Sequence, residues 1–164
     1  MASILVAYYS RTGNTAQLAD HIAQGAAAVA GAEVHSRPVA ELKPEDLLEF
    51  DAIILGSPVY YGTMAAEVKR LLDDTIGFHG RLAGKVGAAF ATCGVFGGGV
   101  ETTVLALLQA MLVHGMVIQG DAHGPHFGAV AVGAPDEKAA QEGEKLGRRT
   151  AALARQICGE LPPA

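Results

Sequence analysis

Apolar runs of strand length alternate with stretches of helical periodicity from one end of the chain to the other. This alternation restricts the fold to βαβ units wound around a parallel sheet. A strand covered on both faces must be apolar at nearly every position, whereas a helix packed on one side is apolar only every third or fourth residue. The strands are expected at 4–9, 33–37, 52–56, 86–92 and 116–120, the first, third and fourth reading as buried on both faces. The first helix is expected over 15–30, with Leu18, Ile22, Ala26 and Val29 on one face and Gly31 as its stop. A short helix follows Pro44 within 45–50, a third spans 64–75 with Val68, Leu71 and Leu72 inward, and a fourth spans 101–114. The last is expected from Asp136, its N-cap, to Cys158, and the tail Leu161-Pro162-Pro163-Ala164 cannot continue it.

A length of 164 residues suits one domain, and no repeat or linker divides it. Although half of the residues are hydrophobic, no run approaches the roughly 18 apolar residues that a membrane span needs. Met1-Ala2-Ser3 leads directly into an apolar run, without the basic lead and cleavage site of a signal peptide, so a cytoplasmic location is expected. Cys93 and Cys158 stand far apart without metal-ligand spacing and are expected as free thiols. The net charge of −5, with basic residues scattered apart from Arg148-Arg149, argues against nucleic acid. It is also small for a carrier that docks through a single-sign field.

Doubly wound sheets bind ligands beyond the carboxyl ends of their strands, which directs attention to the first, third and fourth βα loops. The first reads Ser10-Arg11-Thr12-Gly13-Asn14-Thr15 and enters a helix N-terminus, where free amides and the helix dipole favour an anion. It has neither GxGxxG nor GxxxxGK[ST], so a monophosphate fits better than a dinucleotide or a triphosphate. A tight turn with an N-cap accounts for the same residues equally well. The third loop carries Pro58-Val59-Tyr60-Tyr61-Gly62, whose rings can border a flat ligand or can divide between core and surface. The fourth, Thr92-Cys93-Gly94-Val95-Phe96-Gly97-Gly98-Gly99, holds four glycines in eight residues, more than a plain connector explains.

With these loops in this order, the chain resembles the flavodoxin-like FMN-binding family, and within it the WrbA-type NAD(P)H:quinone oxidoreductases. The resemblance rests on Ser10 to Thr15, on GSPVYYGTMAAEVKRLLD from Gly56 to Asp73, on GGGVE from Gly97 to Glu101, and on His114-Gly115-Met116-Val117-Ile118. It implies an α/β fold, a three-layer doubly wound sheet of five parallel strands in the order 2-1-3-4-5 with helices on both faces. It also implies that Ser10, Thr12, Gly13, Asn14 and Thr15 bind the FMN phosphate; Arg11 beside them can reach that phosphate or one of NAD(P)H, although an exposed loop arginine is the more common outcome. Pro58, Val59, Tyr60, Tyr61 and Gly62 would then border the isoalloxazine, Thr92, Cys93, Gly94 and Gly97 its far rim, and His114 the substrate side as the catalytic residue. The chain departs from the WrbA pattern in having Tyr60 where a basic residue is usual, and in lacking an insertion before the last-but-one strand.

His114 also has a plain role available as the C-terminal cap of an apolar helix. Asp121, His123 and His126 have a spacing that invites a metal, but they sit in a Gly/Pro loop with no further ligand set, so no metal is expected. The loop Gly124 to Gly128 is expected over the flavin edge, as in the family. No base accompanies Cys93, which reads as a lining residue. The helix Val104 to Val113 is apolar around most of its circumference; together with the resemblance this points to a homodimer or homotetramer. Two activities are then open: hydride transfer from NAD(P)H through FMN to a quinone in ping-pong order, or one-electron carriage in the manner of a flavodoxin.

Overall fold

Strand β1 (Ala2–Tyr8) shows why the apolar runs are continuous: Ile4 and Val6 face one buried layer, while Leu5 and Ala7 face the other. The computed structural model describes residues 1–160. Its sheet runs β2 (Ala32–Pro38), β1, β3 (Ala52–Tyr60), β5 (Val86–Cys93), all parallel. Helices α1 (Asn14–Ala27) and α4 (Glu137–Glu160) cover one face over Ile54, Ala88 and Phe90. Helices α2 (Ala66–Asp73) and α3 (Val100–Val113), with the 3-10 turn Pro44–Glu49, cover the other over Leu5, Ile53 and Leu55. The expected strand order therefore holds along the main path, with differences at its edge.

There, the fifth position, expected as one strand over 116–120, is filled by two short pieces. β6 (Val117–Ile118) pairs with the start of β5, and β7 (Ala129–Val132) pairs with its end. Residues 119–128 leave the sheet and fold on themselves. The Asp121 carboxylate accepts the amides of His123 (2.8 Å) and Gly124 (3.0 Å) and pairs with Arg149 of α4. The His126 Nδ1–H donates to the Asp121 carbonyl at 2.7 Å. These bonds hold the carboxylate of Asp121 and one nitrogen of His126 inside the loop. The chain returns at Gly128, where a Cβ would lie 2.0 Å from the Ala89 carbonyl oxygen, so only glycine fits.

Other boundaries differ from expectation by a few residues. β3 continues to Tyr60 and turns back into β4 (Thr63–Met64), so the third helix begins later than 64. The first helix ends at Ala27, before a turn in which Gly31 has φ +82°. The last helix begins as read, with the Ala139 amide donating to the Asp136 carboxylate at 2.8 Å. The tail 161–164 lies outside the described residues. Helices α1 and α4 approach unusually closely through glycines: a Cβ on Gly147 would lie 1.9 Å from the Ile22 carbonyl oxygen, and one on Gly25 would lie 2.0 Å from that of Glu144.

Candidate functional site: a trough at the carboxyl end of the sheet

β1 delivers the loop Ser10 to Thr15 to the start of α1. Gly13, the N-cap, has φ +98° with open space around it, so backbone conformation and not crowding requires glycine there. No side chain caps α1 in the usual way, and its first turn contains no acidic residue. Ser10 Oγ instead accepts the amides of Gly13 and Ala16, each at 3.2 Å, which leaves its own hydrogen free to donate. The amides of Thr12, Asn14 and Thr15 have no partner among the described residues. Buried Thr15 is bonded through Oγ1 to Oγ1 of buried Thr92 at 2.8 Å. The loop thus presents hydroxyls, unpaired amides and the positive end of a helix, and nearby Arg11 is exposed. That donor set fits a phosphate dianion, and the loop and the first turn of α1 carry no carboxylate to repel it.

β3 delivers the aromatic side. Val59 pairs with Met64 and Tyr60 with Thr63, so Tyr61 and Gly62 form a two-residue hairpin turn with φ +49° and +82°. Positive φ at both positions marks a type I′ turn. Tyr61 is the one non-glycine residue with positive φ among those described, and its side chain is fully exposed. Tyr60 packs edge-on to Tyr9, centroids 6.2 Å apart. Burial first, and then the Glu67 carboxylate, raises the Tyr9 phenol above the ordinary tyrosine range. Buried Ser57 anchors the hairpin by accepting the Ala65 amide and donating to the Pro58 carbonyl, both at 2.8 Å. Thr102 Oγ1 bridges the Gly62 carbonyl (3.1 Å) and the Gly99 carbonyl (2.9 Å), joining the hairpin tip to the start of α3. Sequence reasoning gave no site role to Tyr9, Ser57 or Thr102, although Ser57 stands in the GSPVYYG stretch and Thr102 just after the glycine run.

β5 closes the third side with Thr92, Cys93 and the exposed loop from Gly94 to Gly97. The Cys93 thiol is buried and donates to the Val95 carbonyl at 3.0 Å, which ties it to its own loop. One cavity of about 290 Å³ brings together Arg11, Thr12, Asn14, Thr15, Pro58, Val59, Tyr60, Thr92, Cys93 and Gly94. A second, of about 340 Å³, is lined by Arg11, Val59, Tyr60 and Tyr61 and shares three of those walls. Ser10 and Gly13 hold the loop from behind, Gly62 lies at the hairpin tip and Gly97, at φ +75°, in the exposed loop.

His114 is not brought to this trough. It ends α3, beside the hydrogen bonds that join Gly115 to Gly84 and Val117 to Lys85 at the start of β5, which is the opposite edge of the sheet. The fourteen residues of α3 separate the two by about 20 Å at 1.5 Å per residue. There the Thr75 hydroxyl donates to the Leu72 carbonyl (2.6 Å), so at 3.2 Å it accepts the Nε2–H of His114. Burial first, and then His79, hold the imidazole below the ordinary histidine range. The expected catalytic role is therefore corrected: within one chain His114 is a helix-end core residue. Loop 124–128 instead walls a separate cavity of about 220 Å³ with Glu101, Val104 and Val130.

A family model described as NADPH-dependent FMN reductase matches residues 2–126. The chain belongs to this family. The NAD(P)H dehydrogenase (quinone) of Archaeoglobus fulgidus is 35% identical over 192 aligned positions, taking in 96% of this chain and all of that protein. A flavodoxin of Aquifex aeolicus is 36% identical over 159 positions, 92% of this chain and 86% of the relative. Among solved structures, a WrbA-like flavodoxin from Agrobacterium tumefaciens superposes with a TM-score of 0.79 at 25% identity, covering 96% of this chain and 99% of that one. The fold is flavodoxin-like, and membership makes the chain an FMN-dependent oxidoreductase. No helix among the described residues is long and apolar enough to cross a membrane.

Proposed function

We propose that the chain is a cytoplasmic NAD(P)H:quinone oxidoreductase that passes two electrons through FMN held in the trough. The observation that carries this reading is the openness of the aromatic side. Fully exposed Tyr61 and nearly fully exposed Phe96 stand on the two loops flanking a cleft whose inner end is an anion site. A ring bordered in this way is open to flat molecules from solvent, as alternate reduction by a nicotinamide and oxidation by a quinone requires. The family description and the quinone reductase among the relatives support the same reading.

Bound in the trough, FMN supplies hydride acceptance and release, chemistry that no side chain here performs alone. The protein's part is placement. Ser10, Thr12, Gly13, Asn14 and Thr15 hold the phosphate through the free hydroxyls and amides, and Arg11 adds charge at its margin. Pro58, Val59, Tyr60, Tyr61 and Gly62 border one side of the ring system, and Thr92, Cys93, Gly94 and Gly97 border the other. Cys93 lines the wall without acting as a nucleophile, since its hydrogen is committed to Val95.

The assembly is proposed as a homodimer or homotetramer. Leu112, Val113 and Val117 are exposed at one end of the molecule. Val113 also lines an open cavity of about 400 Å³ with Met64, Ala106 and Ala110. The second reading, a one-electron carrier, is favoured by the identity to the Aquifex flavodoxin, 36% against 35% for the quinone reductase. Steady-state assays with catalytic amounts of the protein separate the two. The enzyme oxidises NADH or NADPH with benzoquinone and gives parallel double-reciprocal lines; a carrier gives no turnover until a reductase is added.

A further inference from the structure

We infer that Thr92 is a positioning residue for the anion loop, its hydroxyl donating to Thr15 Oγ1 and thereby committing the Thr15 hydrogen to the bound anion. The inference rests on the reading of the Ser10 to Thr15 loop as a phosphate site. Alternation along β5 sends Ala88, Phe90 and then Thr92 to the α1 face, and Thr15 lies in the first turn of α1. Their oxygens meet at 2.8 Å, and the side chains are 3% and 2% exposed. Two buried hydroxyls carry two hydrogens, but only one hydrogen lies between them. Neither hydroxyl has another partner among the described residues, so the second hydrogen needs an acceptor.

Position decides which hydrogen is left over. Thr15 sits beside the unpaired amides of Thr12 and Asn14, where an anion supplies acceptors, while Thr92 is flanked on the sheet by Pro58 and Ala131. With an anion in the loop, the satisfied arrangement runs from Thr92 to Thr15 to the anion, each hydroxyl polarising the next. Without the Thr92 donor, the Thr15 oxygen is left without a hydrogen to accept and its rotor is no longer fixed.

The test is the affinity of the apoprotein for FMN and for riboflavin, read from quenching of flavin fluorescence in wild type, Thr92→Val, Thr92→Ser, Thr15→Val and the double valine variant. Thr92→Val is expected to weaken FMN roughly three- to tenfold, the range of one net hydrogen bond, and to leave riboflavin within about twofold. Thr92→Ser, which keeps the donor, is expected to restore FMN binding. The double variant should be no weaker than Thr15→Val alone, because the second change removes a bond already lost. If Thr92→Val weakens FMN and riboflavin equally, or if serine fails to rescue, Thr92 merely shapes the wall and the inference is overturned. Additive losses overturn it too, and the serine and Thr15→Val arms still decide if Thr92→Val does not fold. Equal wild-type affinity for FMN and riboflavin is a separate result, which removes the phosphate reading itself.

Discussion

Replacing Tyr61 with Asn separates stability from function at the hairpin. Tyr61 is held at φ +49° as the first central residue of a type I′ turn, with Gly62 second. Asn-Gly is the favoured pair there, because the short polar side chain of Asn tolerates the left-handed region that costs other L-residues about 1 kcal/mol. The Tyr61 side chain is fully exposed, so removing it forfeits no burial. Tyr61→Asn is therefore expected to stabilise the apoprotein by about 1 kcal/mol, which for a domain of this size raises the thermal midpoint by about 2–4 °C. The same variant should bind FMN more weakly, since the ring that borders the isoalloxazine is gone. Calorimetry of the apoprotein and a fluorescence titration give the two values. A midpoint equal to or below wild type would refute the strain argument; unchanged FMN affinity would remove Tyr61 from the site.

Two further outcomes test the packing away from the trough. Gly147→Ala would place a Cβ 1.9 Å from the Ile22 carbonyl oxygen, so α1 and α4 must separate by about 1.5 Å to reach ordinary contact. A loss of about 3 kcal/mol is expected in urea unfolding, and a loss under 1 kcal/mol would mean that the helices are not held this close. His114 is buried with its folded pKa below the ordinary value of about 6.5. The unfolded chain therefore binds the proton more readily, and the stability from neutral His114 is complete above about pH 6.5 and lost as pH falls through the lower folded value. His114→Gln should flatten the fall in thermal midpoint between pH 7 and pH 5. It should also leave quinone reduction unchanged, which activity assays at pH 7 check.

The parts of the fold legible in the sequence are those where burial leaves no choice of residue. β1, β3 and β5 are covered on both faces, so their apolar runs could only be central strands, and the loops at their ends stood out by contrast. The loop Ser10 to Thr15 stood out in the sequence, but its residues suit a tight turn with an N-cap as well as an anion, and only the order of all three loops, through the family resemblance, tipped it towards a phosphate. β7 was hidden because Gly128-Ala129-Val130-Ala131 owes its place to one close approach, Gly128 over Ala89, which no local pattern encodes. The β3–β4 hairpin was hidden because Tyr-Gly stands where Asn-Gly would have announced a turn. The Thr15–Thr92 bond joins residues 77 positions apart and appears only once the sheet is assembled. His114 was given its site role by the family resemblance, and only the assembled fold shows that α3 carries it the length of the domain away from the glycine loop.

An enzyme of this kind differs from a carrier in the direct two-electron reduction of its FMN by a nicotinamide, followed by direct reoxidation by a quinone. Anaerobic titration of the FMN-loaded protein, followed by its visible spectrum, distinguishes the two. One equivalent of NADH or NADPH is expected to bleach the flavin through a single isosbestic point, and one equivalent of benzoquinone to restore the original spectrum. If neither nucleotide bleaches the flavin while an added reductase does, one electron at a time, the chain is a carrier and not a quinone reductase.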